Sequence, residues 1–367
     1  MNSLLASTAL FFSLFGSTAF ARPQTTSTST ACNNSPSLCS RSYANVTYLG
    51  AHDSAFISNS SNGYDISGNQ YFNTTTQLNA GVRLLQSQIQ SAGSSNSSSD
   101  LHLCHTSCSL LDAGTVESWL TEVKTWMDSN PNEVVTMLLV NGANADATTL
   151  GEIFTNSGIT KYAYTPTSST PSSWPTLQEM ISADTRLVIF IASLSSNTGA
   201  EFLLNEFDYV WENNYDVTDA SNFTCTPARP SAVAGSLSTA KSSGRMFLMN
   251  HFLDQNELIA QVPDVAAANT TNSPDTSIVG SLGYSASQCT SQYGAPPNYI
   301  LVDWFNVGPA ISTVDSLNGV TAATGREQVT TANLKVASSS SSDSRRTESS
   351  ALALVIGFAV AASVGWI

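Results

Sequence analysis

Histidine is the side chain best suited to proton transfer near neutral pH, and this chain of 367 residues contains four of them. His52 and His105 each follow a short apolar run, and Asp53 comes directly after the first. Two imidazoles facing one cavity suit acid–base cleavage of a phosphodiester, because one accepts the proton of the attacking hydroxyl while the other protonates the leaving oxygen. We therefore predict that His52 and His105 are catalytic.

The other two histidines have weaker claims to a catalytic role. His102 alternates with Leu101 and Leu103, which is typical of a structural strand residue. His251 also ends an apolar run, and we expect it at the rim of the site. A carboxylate behind the base would fix its tautomer and stabilise the imidazolium, and Asp303 ends the last apolar run of the domain.

The elements that must position these residues follow from the apolar runs. Several runs are apolar throughout, as expected for strands buried on both faces of a parallel sheet. Residues 116–129 carry apolar side chains at three- and four-residue spacing behind Thr115, a residue type common at N-caps, which predicts a helix. The predicted strands are 46–51, 82–89, 100–105, 134–140, 186–192, 209–215, 246–252 and 299–305.

We predict an α/β fold with a single irregular TIM-type (β/α) barrel, because buried strands alternate with helical or loop stretches without a break. A doubly wound sheet is the alternative, but no glycine-rich phosphate loop follows the first strand. In a barrel, the carboxyl ends of the strands form the mouth of the active site. Besides the residues above, polar side chains in the second strand or at strand ends are Gln86, Gln88, Asn141, Glu212, Asn213, Tyr215 and Asn250.

Two other chemistries fit these residues less well. A serine hydrolase would carry a G-x-S-x-G elbow, which the sequence lacks. A metal-dependent phosphodiesterase would need acidic ligands in the second strand, where this chain has Gln86 and Gln88, and hard cations prefer carboxylates. We therefore expect neither a metal ion nor another cofactor.

The composition restricts the partners. The 13 lysines and arginines stand against 27 aspartates and glutamates, which gives a net charge of −14. So few basic residues argue against nucleic-acid binding, which needs Lys and Arg to neutralise phosphates. They argue equally against electrostatic docking to an anionic bilayer. We expect a monomer without a nucleic-acid partner.

Both ends of the chain resemble targeting signals. Residues 1–21 hold an apolar run that closes on Ala19-Phe20-Ala21, which predicts a secretory signal peptide. The uncharged tail 351–367 follows a Ser-rich stretch at 331–350, which predicts a glycosylphosphatidylinositol (GPI) anchor attached among Ser338–Ser342. A membrane-spanning helix is the alternative at either end.

These signals define the expected organisation and location. A Ser/Thr-rich N-terminal segment at 22–42 precedes one barrel domain at 43–330. We expect a secreted protein that is GPI-anchored at the extracellular face of the plasma membrane or in the cell wall, with the membrane reached through that anchor.

Secretion also determines how the six cysteines are interpreted, because an oxidising route favours disulfides over metal thiolates. Local spacing favours Cys32–Cys39 and Cys104–Cys108, which leaves Cys225–Cys289, although sequence alone leaves other pairings open. Seven Asn-x-Ser/Thr sequons predict N-glycosylation, at Asn33, Asn45, Asn59, Asn73, Asn96, Asn222 and Asn269.

The same residues carry a resemblance to a known family. Gly50-Ala51-His52-Asp53-Ser54 resembles the first catalytic motif of the phosphatidylinositol-specific phospholipase C (PI-PLC) X-domain superfamily. Leu103-Cys104-His105 resembles the segment with its second catalytic histidine, and residues 78–85 resemble its second strand. The resemblance extends over residues 43–310. Further segments of the chain are similar to the fungal, secreted branch of the family, at 110–114, 130–141, 250–252 and 300–308.

The resemblance implies a distorted TIM-type barrel that cleaves the phosphodiester of phosphoinositides, in which the inositol 2-hydroxyl attacks phosphorus to give a cyclic phosphate and diacylglycerol. It implies that His52 is the general base, oriented by Asp303, and that His105 is the general acid, assisted by Asp53. The expected substrate is a phospholipid or another phosphodiester.

The resemblance also implies substrate contacts. Tyr215 would lie against the sugar ring, and Asn141 and Asn213 would reach its hydroxyls. We assign Gln86, Gln88 and Asn250 to substrate binding as well.

The second strand departs from the family pattern. Metal-free members carry an acidic residue and an arginine where this chain has Gln86 and Gln88, and calcium-dependent members carry acidic ligands there. Arg83 is close in sequence, but strand alternation puts it on the opposite face. A missing positive charge should cost several kcal/mol of transition-state stabilisation, on the order of 3 kcal/mol. The rival interpretation is a non-catalytic surface glycoprotein that binds carbohydrate or a partner on the barrel scaffold.

Overall fold

The structure, a computed structural model, describes residues 30–93, 97–167, 173–256 and 261–330. The predicted signal peptide, the Ser-rich stretch at 331–350, the apolar tail at 351–367 and the sequon residue Asn96 lie outside the described residues. Within those described ranges, no helix combines the length and the hydropathy that a membrane crossing requires.

The secondary structure alternates between strands and helices along most of the chain. The strands are β1 (Tyr48–Ala51), β2 (Leu84–Ser91), β3 (Leu101–Cys104), β4 (Asp112–Thr115), β5 (Val135–Asn141), β6 (Leu187–Ala192), β7 (Leu203–Asn205), β8 (Val210–Glu212), β9 (Met246–Asn250), β10 (Asp254–Asn256), β11 (Gln261–Pro263) and β12 (Tyr299–Val302). The α-helices are α1 (Thr74–Asn79), α2 (Val116–Ser129), α3 (Ala147–Asn156), α4 (Leu177–Ser182), α5 (Glu206–Tyr209), α6 (Leu237–Ser242), α7 (Ala268–Thr271), α8 (Leu282–Tyr293) and α9 (Ala310–Asn318).

Eight of these strands form a curled parallel sheet in the order β7-β6-β5-β2-β1-β12-β9-β8, with helices around it. This is the α/β architecture of a TIM-type barrel, as the sequence predicts. The two edge strands, β7 and β8, do not pair with each other in the part of the chain that the structure describes. The barrel is therefore irregular and open at one seam.

Strand alternation divides the core into two layers. Side chains such as Leu138, Phe190 and Leu248 fill the inside of the barrel. Their neighbours along the same strands, such as Met137 and Ile191, pack outward against the helices. Because successive strand residues point to opposite faces, this division also decides which polar residues can reach the mouth.

Helix α2 has the bounds that the sequence predicts. The Thr115 side chain caps it by accepting from the backbone N–H of Ser118 at 3.2 Å, which satisfies one of the otherwise unpaired donors of the first turn. The apolar stripe is buried against the outer core layer and consists of Val116, Trp119, Leu120, Val123, Trp126 and Met127.

Two strand predictions need correction. The run at 100–105 is a strand, β3, but it runs antiparallel to β2 and forms a hairpin with β4 instead of joining the parallel sheet. The run at 209–215 contains only the short strand β8, and β7 is absent from the sequence prediction because its three residues give no periodic signal.

The folded body begins before residue 43, where we predict the domain boundary. Cys32 and Leu38 belong to the inner core layer. The Asn34 carboxamide accepts from the Arg83 guanidinium at 2.9 Å. Residues 32–42 are therefore part of the domain rather than of a Ser/Thr-rich segment.

The structure contains the two disulfides that local spacing favours, Cys32–Cys39 and Cys104–Cys108, and the pair that they leave, Cys225–Cys289.

One predicted glycosylation site has no room for a glycan. The Asn33 side chain is buried, donates to the Val134 carbonyl and accepts from the Val134 N–H. The prediction of a glycan on Asn33 is therefore wrong. The sequon residues Asn45, Asn73, Asn222 and Asn269 are exposed and Asn59 is half-buried, and these five stay predictions.

Candidate active site

His52 lies between two carboxylates at the carboxyl end of β1. Its Nδ1 is 2.9 Å from Asp303 Oδ1, and its Nε2 is 3.6 Å from Asp53 Oδ2. A carboxylate can only accept, so Nδ1 carries a proton and donates it to Asp303. The other nitrogen, Nε2, is then the one that can exchange a proton with a substrate.

Asp303 and the His52 backbone are held by the segment before α1. The Asn69 Nδ2 group donates to Asp303 Oδ1 at 3.1 Å. The Gln70 Nε2 group donates to the carbonyls of His52 at 2.7 Å and Val302 at 3.0 Å, which ties the ends of β1 and β12 together. The His52–Asp303 pair is thus fixed by neighbouring side chains, as a base and its orienting group require.

Asp53 is the point at which the two predicted catalytic histidines meet. Its Oδ2 atom lies 3.3 Å from His105 Nε2 as well as 3.6 Å from His52 Nε2. The two Nε2 atoms are therefore within about 7 Å of each other, close enough for both to reach the oxygens of one phosphate. Both imidazoles remain partly open to solvent, with 15% of the His52 side chain and 19% of the His105 side chain exposed.

Gln86 and Gln88 hold Asp53 in place. The Asp53 backbone has a φ of 47°, in the left-handed region, and its N–H donates to Gln86 Oε1 at 2.6 Å. The Gln88 Nε2 group donates to the Asp53 carboxylate at 3.0 Å. The two glutamines are therefore neutral supports of the aspartate rather than free groups awaiting substrate.

His105 reaches the site by a different route from the one we predict. It does not end a parallel strand, because β3 is antiparallel to β2. Strand β2 continues beyond its pairing with β1, and β3 folds back along this extension, which returns His105 to the level of Gln88. The Gln88 Oε1 atom accepts from the Thr106 N–H at 3.1 Å, and the Cys104–Cys108 disulfide closes the loop around the histidine.

The carboxylates control the charge of the site. Burial alone would lower the pKa of His52, but the charges of Asp53 and Asp303 outweigh it and raise that pKa to about 9. Burial raises the pKa of Asp303 above its ordinary value, although the neighbouring His52 opposes the shift. Burial, with the nearby charge of Asp303, also raises the pKa of Asp254 to about 7.

Arg83 does not supply the missing positive charge. Its side chain is buried on the outer face, where it pairs with Glu133 at 2.7 Å and donates to the carbonyls of Leu78 and Val82. This confirms the prediction from strand alternation.

A second polar network lies at the ends of β8 and β9. The Arg229 guanidinium pairs with buried Glu212, and it lies 4.4 Å from the ring centroid of Tyr215. The Asn250 Nδ2 group donates to Glu212 at 3.0 Å. Burial would raise the pKa of Glu212, but Arg229 outweighs it and lowers that pKa, whereas burial raises the pKa of neighbouring Glu206 well above its ordinary value.

Three predicted site residues lie elsewhere. The Asn141 side chain bonds the backbone of Ala145, and the Asn213 side chain donates to the Thr224 carbonyl at 2.9 Å. Asn141 shares the outward face of its strand with Leu139, and Asn213 shares that of Trp211, so neither is aimed into the mouth. His251 is 1% exposed rather than at the rim, and burial lowers its pKa to about 4.

Among the described residues, one group of side chains brings potential metal ligands together: His102, Cys104 and Asp112. Cys104 is bonded to Cys108 and so offers no thiolate. His102 Nδ1 lies 2.9 Å from Asp112 Oδ2 on the surface of the hairpin, which agrees with the structural role that we predict for His102. This group does not fit a metal ion.

Several site residues escape sequence analysis. Phe252 stacks on the His52 imidazole, with ring centroids 3.6 Å apart and planes within 5°. Asn69 and Gln70 sit in an irregular segment without a periodic pattern, and Asp254 follows the predicted strand at 246–252. The segment at 250–252, which is similar to the family, could have pointed to Phe252. No sequence pattern points to Asn69, Gln70 or Asp254.

An α/β barrel with two histidines sharing an aspartate at its mouth defines a class, the PLC-like phosphodiesterase fold. The chain belongs to the PI-PLC X family, whose model matches residues 38–318.

Two relatives come from the fungus Arthroderma benhamiae. A "PI-PLC X domain-containing protein 1" is 36% identical over 291 residues, which cover 79% of this chain and 90% of the relative. An "uncharacterized secreted protein" is 36% identical over 309 residues, which cover 82% of this chain and 66% of that relative.

Solved structures of bacterial enzymes share the fold. The phosphatidylinositol-specific phospholipase C of Staphylococcus aureus, as its F249X mutant, matches with a TM-score of 0.50 at 14% identity, over 76% of this chain and 94% of that one. The enzyme of Listeria monocytogenes matches with a TM-score of 0.50 at 15% identity, over 76% and 95%. At these identities the likeness concerns the fold alone.

Proposed function

We propose that the protein is a metal-independent phosphodiesterase of the phospholipase C type that cleaves a lipid head-group diester. The observation that carries the proposal is the convergence of His52 and His105 on one carboxylate oxygen of Asp53. Family membership supports the reaction class, and the curated relative's name supports a PI-PLC-like substrate.

In the proposed reaction, His52 Nε2 takes the proton from a hydroxyl of the head group, and the hydroxyl oxygen forms a bond to phosphorus. The bond from phosphorus to the lipid oxygen breaks, and that oxygen receives the proton of His105 Nε2. The products are a cyclic phosphodiester and a neutral lipid alcohol. Asp303 stabilises the imidazolium that forms on His52, because it accepts from Nδ1 at 2.9 Å.

The roles of the supporting residues follow from their contacts. Asp53 holds both histidines, and Gln86 and Gln88 position Asp53. We keep Tyr215 as the ring that lies against the head group, since it is 37% exposed beside Arg229. Asn250 acts through Glu212 rather than by direct contact.

The test is cleavage of phosphatidylinositol, lysophospholipids and glycerophosphodiesters by the purified protein, with and without chelator. We expect cleavage that chelator does not reduce. Replacing His52 or His105 by Ala should lower the rate by at least about a hundredfold, because each removes one proton-transfer group. His102→Ala is the matched control, since His102 pairs with Asp112 on the hairpin surface, and it should retain the rate.

A second candidate function is a non-catalytic glycoprotein that uses the barrel as a binding scaffold. The neutral pair Gln86 and Gln88 in place of charged residues favours it. The same assay separates the two functions. Turnover that depends on both histidines rejects the scaffold, whereas turnover that persists in both alanine variants, or no turnover of any diester, rejects the phosphodiesterase.

We also propose that the protein is secreted and GPI-anchored at the cell surface. The apolar run before Ala21, the uncharged tail at 351–367 and the name of the secreted relative support this location.

A further inference from the structure

A cavity lies on the outer face of the barrel, and none of its lining residues belongs to the histidine pair or its carboxylates. It occupies about 320 Å³ between strands β8 and β9, the loop at 213–226 and helix α8. Asn213 and His251 line it, and both lie on the outward face of their strands. We propose that this cavity binds a neutral saccharide, as a site separate from the proposed phosphodiesterase centre.

The walls of the cavity are fixed before any ligand binds. The Cys225–Cys289 disulfide ties the loop at 213–226 to α8. The Asn213 Nδ2 group donates to the Thr224 carbonyl at 2.9 Å, which fastens the same loop to the end of β8. A preformed cavity loses little conformational freedom on binding, which favours affinity for a small ligand.

The cavity contains a buried acceptor that lacks a donor. His251 Nε2 is 3.0 Å from the Thr271 carbonyl, so Nε2 carries the single proton of the neutral ring. The Nδ1 atom is then a lone-pair acceptor, and it has no hydrogen-bond partner among the described residues. The Gly280 backbone also lies within hydrogen-bond reach of the ring and, against the larger effect of burial, raises its pKa as the Thr271 carbonyl does, and because the neutral imidazole has a single proton, one ring nitrogen keeps an unmatched lone pair. A ligand that donates a hydroxyl hydrogen would satisfy this position.

The lining determines the chemical class. The described residues around the cavity include no Lys, Arg, Asp or Glu, so nothing there pairs with a charged ligand. Phe223, whose ring packs on His251 at 4.2 Å between centroids, and Tyr284 bring aromatic rings to the lining, and aromatic rings suit the C–H face of a sugar ring. Ser285, Gln288 and Gln292 offer hydroxyl and amide groups for its rim.

Helix α8 presents these polar groups together. Ser285, Gln288 and Gln292 follow one another at three- and four-residue spacing, so they share one face of the helix. Ser287 and Ser291 are exposed positions of the same helix that do not line the cavity. The helix therefore supplies both the proposed contacts and a matched control.

The experiment uses the Asn222→Gln protein, because a glycan on Asn222, next to the cavity residues Ser221 and Phe223, would compete for the site. Chitotetraose, laminaritetraose and mannotetraose are titrated by calorimetry, with sulfated dextran as the charged control. We expect saturable binding of at least one neutral oligosaccharide and none of the sulfated polymer.

Variants locate the binding. Gln288→Ala/Gln292→Ala should weaken the affinity by at least about tenfold, because two hydrogen-bonding amides are lost, whereas Ser287→Ala/Ser291→Ala should leave it unchanged. His251→Phe should also weaken it, with thermal unfolding measured alongside; if that variant does not fold, the glutamine pair decides. Absence of binding to all three oligosaccharides, or equal affinity in the glutamine and serine variants, would overturn the proposal. Neither result bears on diester cleavage.

Discussion

Asp53 determines both the geometry and the charge of the candidate site. It contacts His52 and His105, and its own supports, Gln86 and Gln88, are neutral. Amides stand in this strand where the resemblance to metal-free members of the family implies a guanidinium. A cation there would disfavour a charged imidazole, whereas neutral amides leave the carboxylates unopposed. The raised pKa of His52 is the result.

This charge state predicts an alkaline pH profile. A general base must be unprotonated, and the pKa of His52 is raised to about 9, so most of the enzyme holds an imidazolium at pH 7. For a soluble diester whose leaving group needs no proton from His105, such as a nitrophenyl diester, we expect kcat/KM to rise with pH by up to about tenfold per pH unit and to level off near pH 9.

The control for this profile is Asp303→Asn, which removes one of the charges that raise the pKa of His52. The rise of kcat/KM should move to lower pH while the maximum rate falls, because the imidazolium loses its partner. A wild-type profile that is flat between pH 6 and 9 would contradict the assignment of His52 as the base.

At the scale of the elements, strand alternation separates the residues that sequence could place from those that it could not. His52 and Asp303 follow strands whose apolar pattern is clear, and both lie at the mouth as predicted. Asn213 also follows a strand, but it shares the outward face with Trp211, so its strand end did not imply the mouth. The position of a residue at the end of a strand predicts how close it lies to the mouth of the barrel. Only the alternation of side chains along the strand predicts whether it faces into the barrel or outward.

The hairpin β3–β4 shows a second limit. An apolar run predicts a strand, but not the direction of its pairing, which depends on contacts distant in sequence. We predicted His105 at the mouth because we expected its strand to belong to the parallel sheet, but that strand is antiparallel to β2. Asn69 and Phe252 were missed because their roles arise from the tertiary contacts of loops.

Arg83 gives an element-scale prediction about stability. Its guanidinium and Glu133 form a buried pair that joins the start of β2 to the segment before β5. We expect Arg83→Met to lower the free energy of unfolding in urea by about 3 kcal/mol, because Glu133 is left without its partner. The cleavage rate per folded molecule should not change.

The matched variant is Arg83→Met/Glu133→Leu, which removes both charges and should regain much of the lost stability. A fall in the rate of Arg83→Met that exceeds its loss of folded protein would show that Arg83 serves the active site after all.

The whole molecule carries a net charge of −14, which repels anionic lipid surfaces. A protein that acts on anionic lipids with such a charge needs another means of staying near them. A covalent lipid anchor supplies this, because the attachment does not depend on the sign of the protein's charge. The proposed anchor and the acidic composition therefore belong to one explanation.

Expression of the full chain beside a chain ending at residue 336 tests this explanation. We expect the full chain at the cell surface and the shortened chain in the medium, because the latter lacks the proposed attachment signal. The purified short chain should not sediment with phosphatidylserine vesicles at low salt. Retention of the shortened chain at the surface, or its binding to those vesicles, would contradict the anchor proposal.

The Cys104–Cys108 bridge has a consequence for where the protein becomes competent. It closes the loop that presents His105, while the parallel sheet that carries His52 and Asp303 contains no cysteine in its described strands. In a reducing cytosol, therefore, the parallel sheet could assemble while the loop that carries His105, the proposed general acid, lacked its disulfide. The proposed secretion would in this way tie completion of the histidine pair to export, and a nascent chain with the proposed activity would spare the lipids of the cell that makes it.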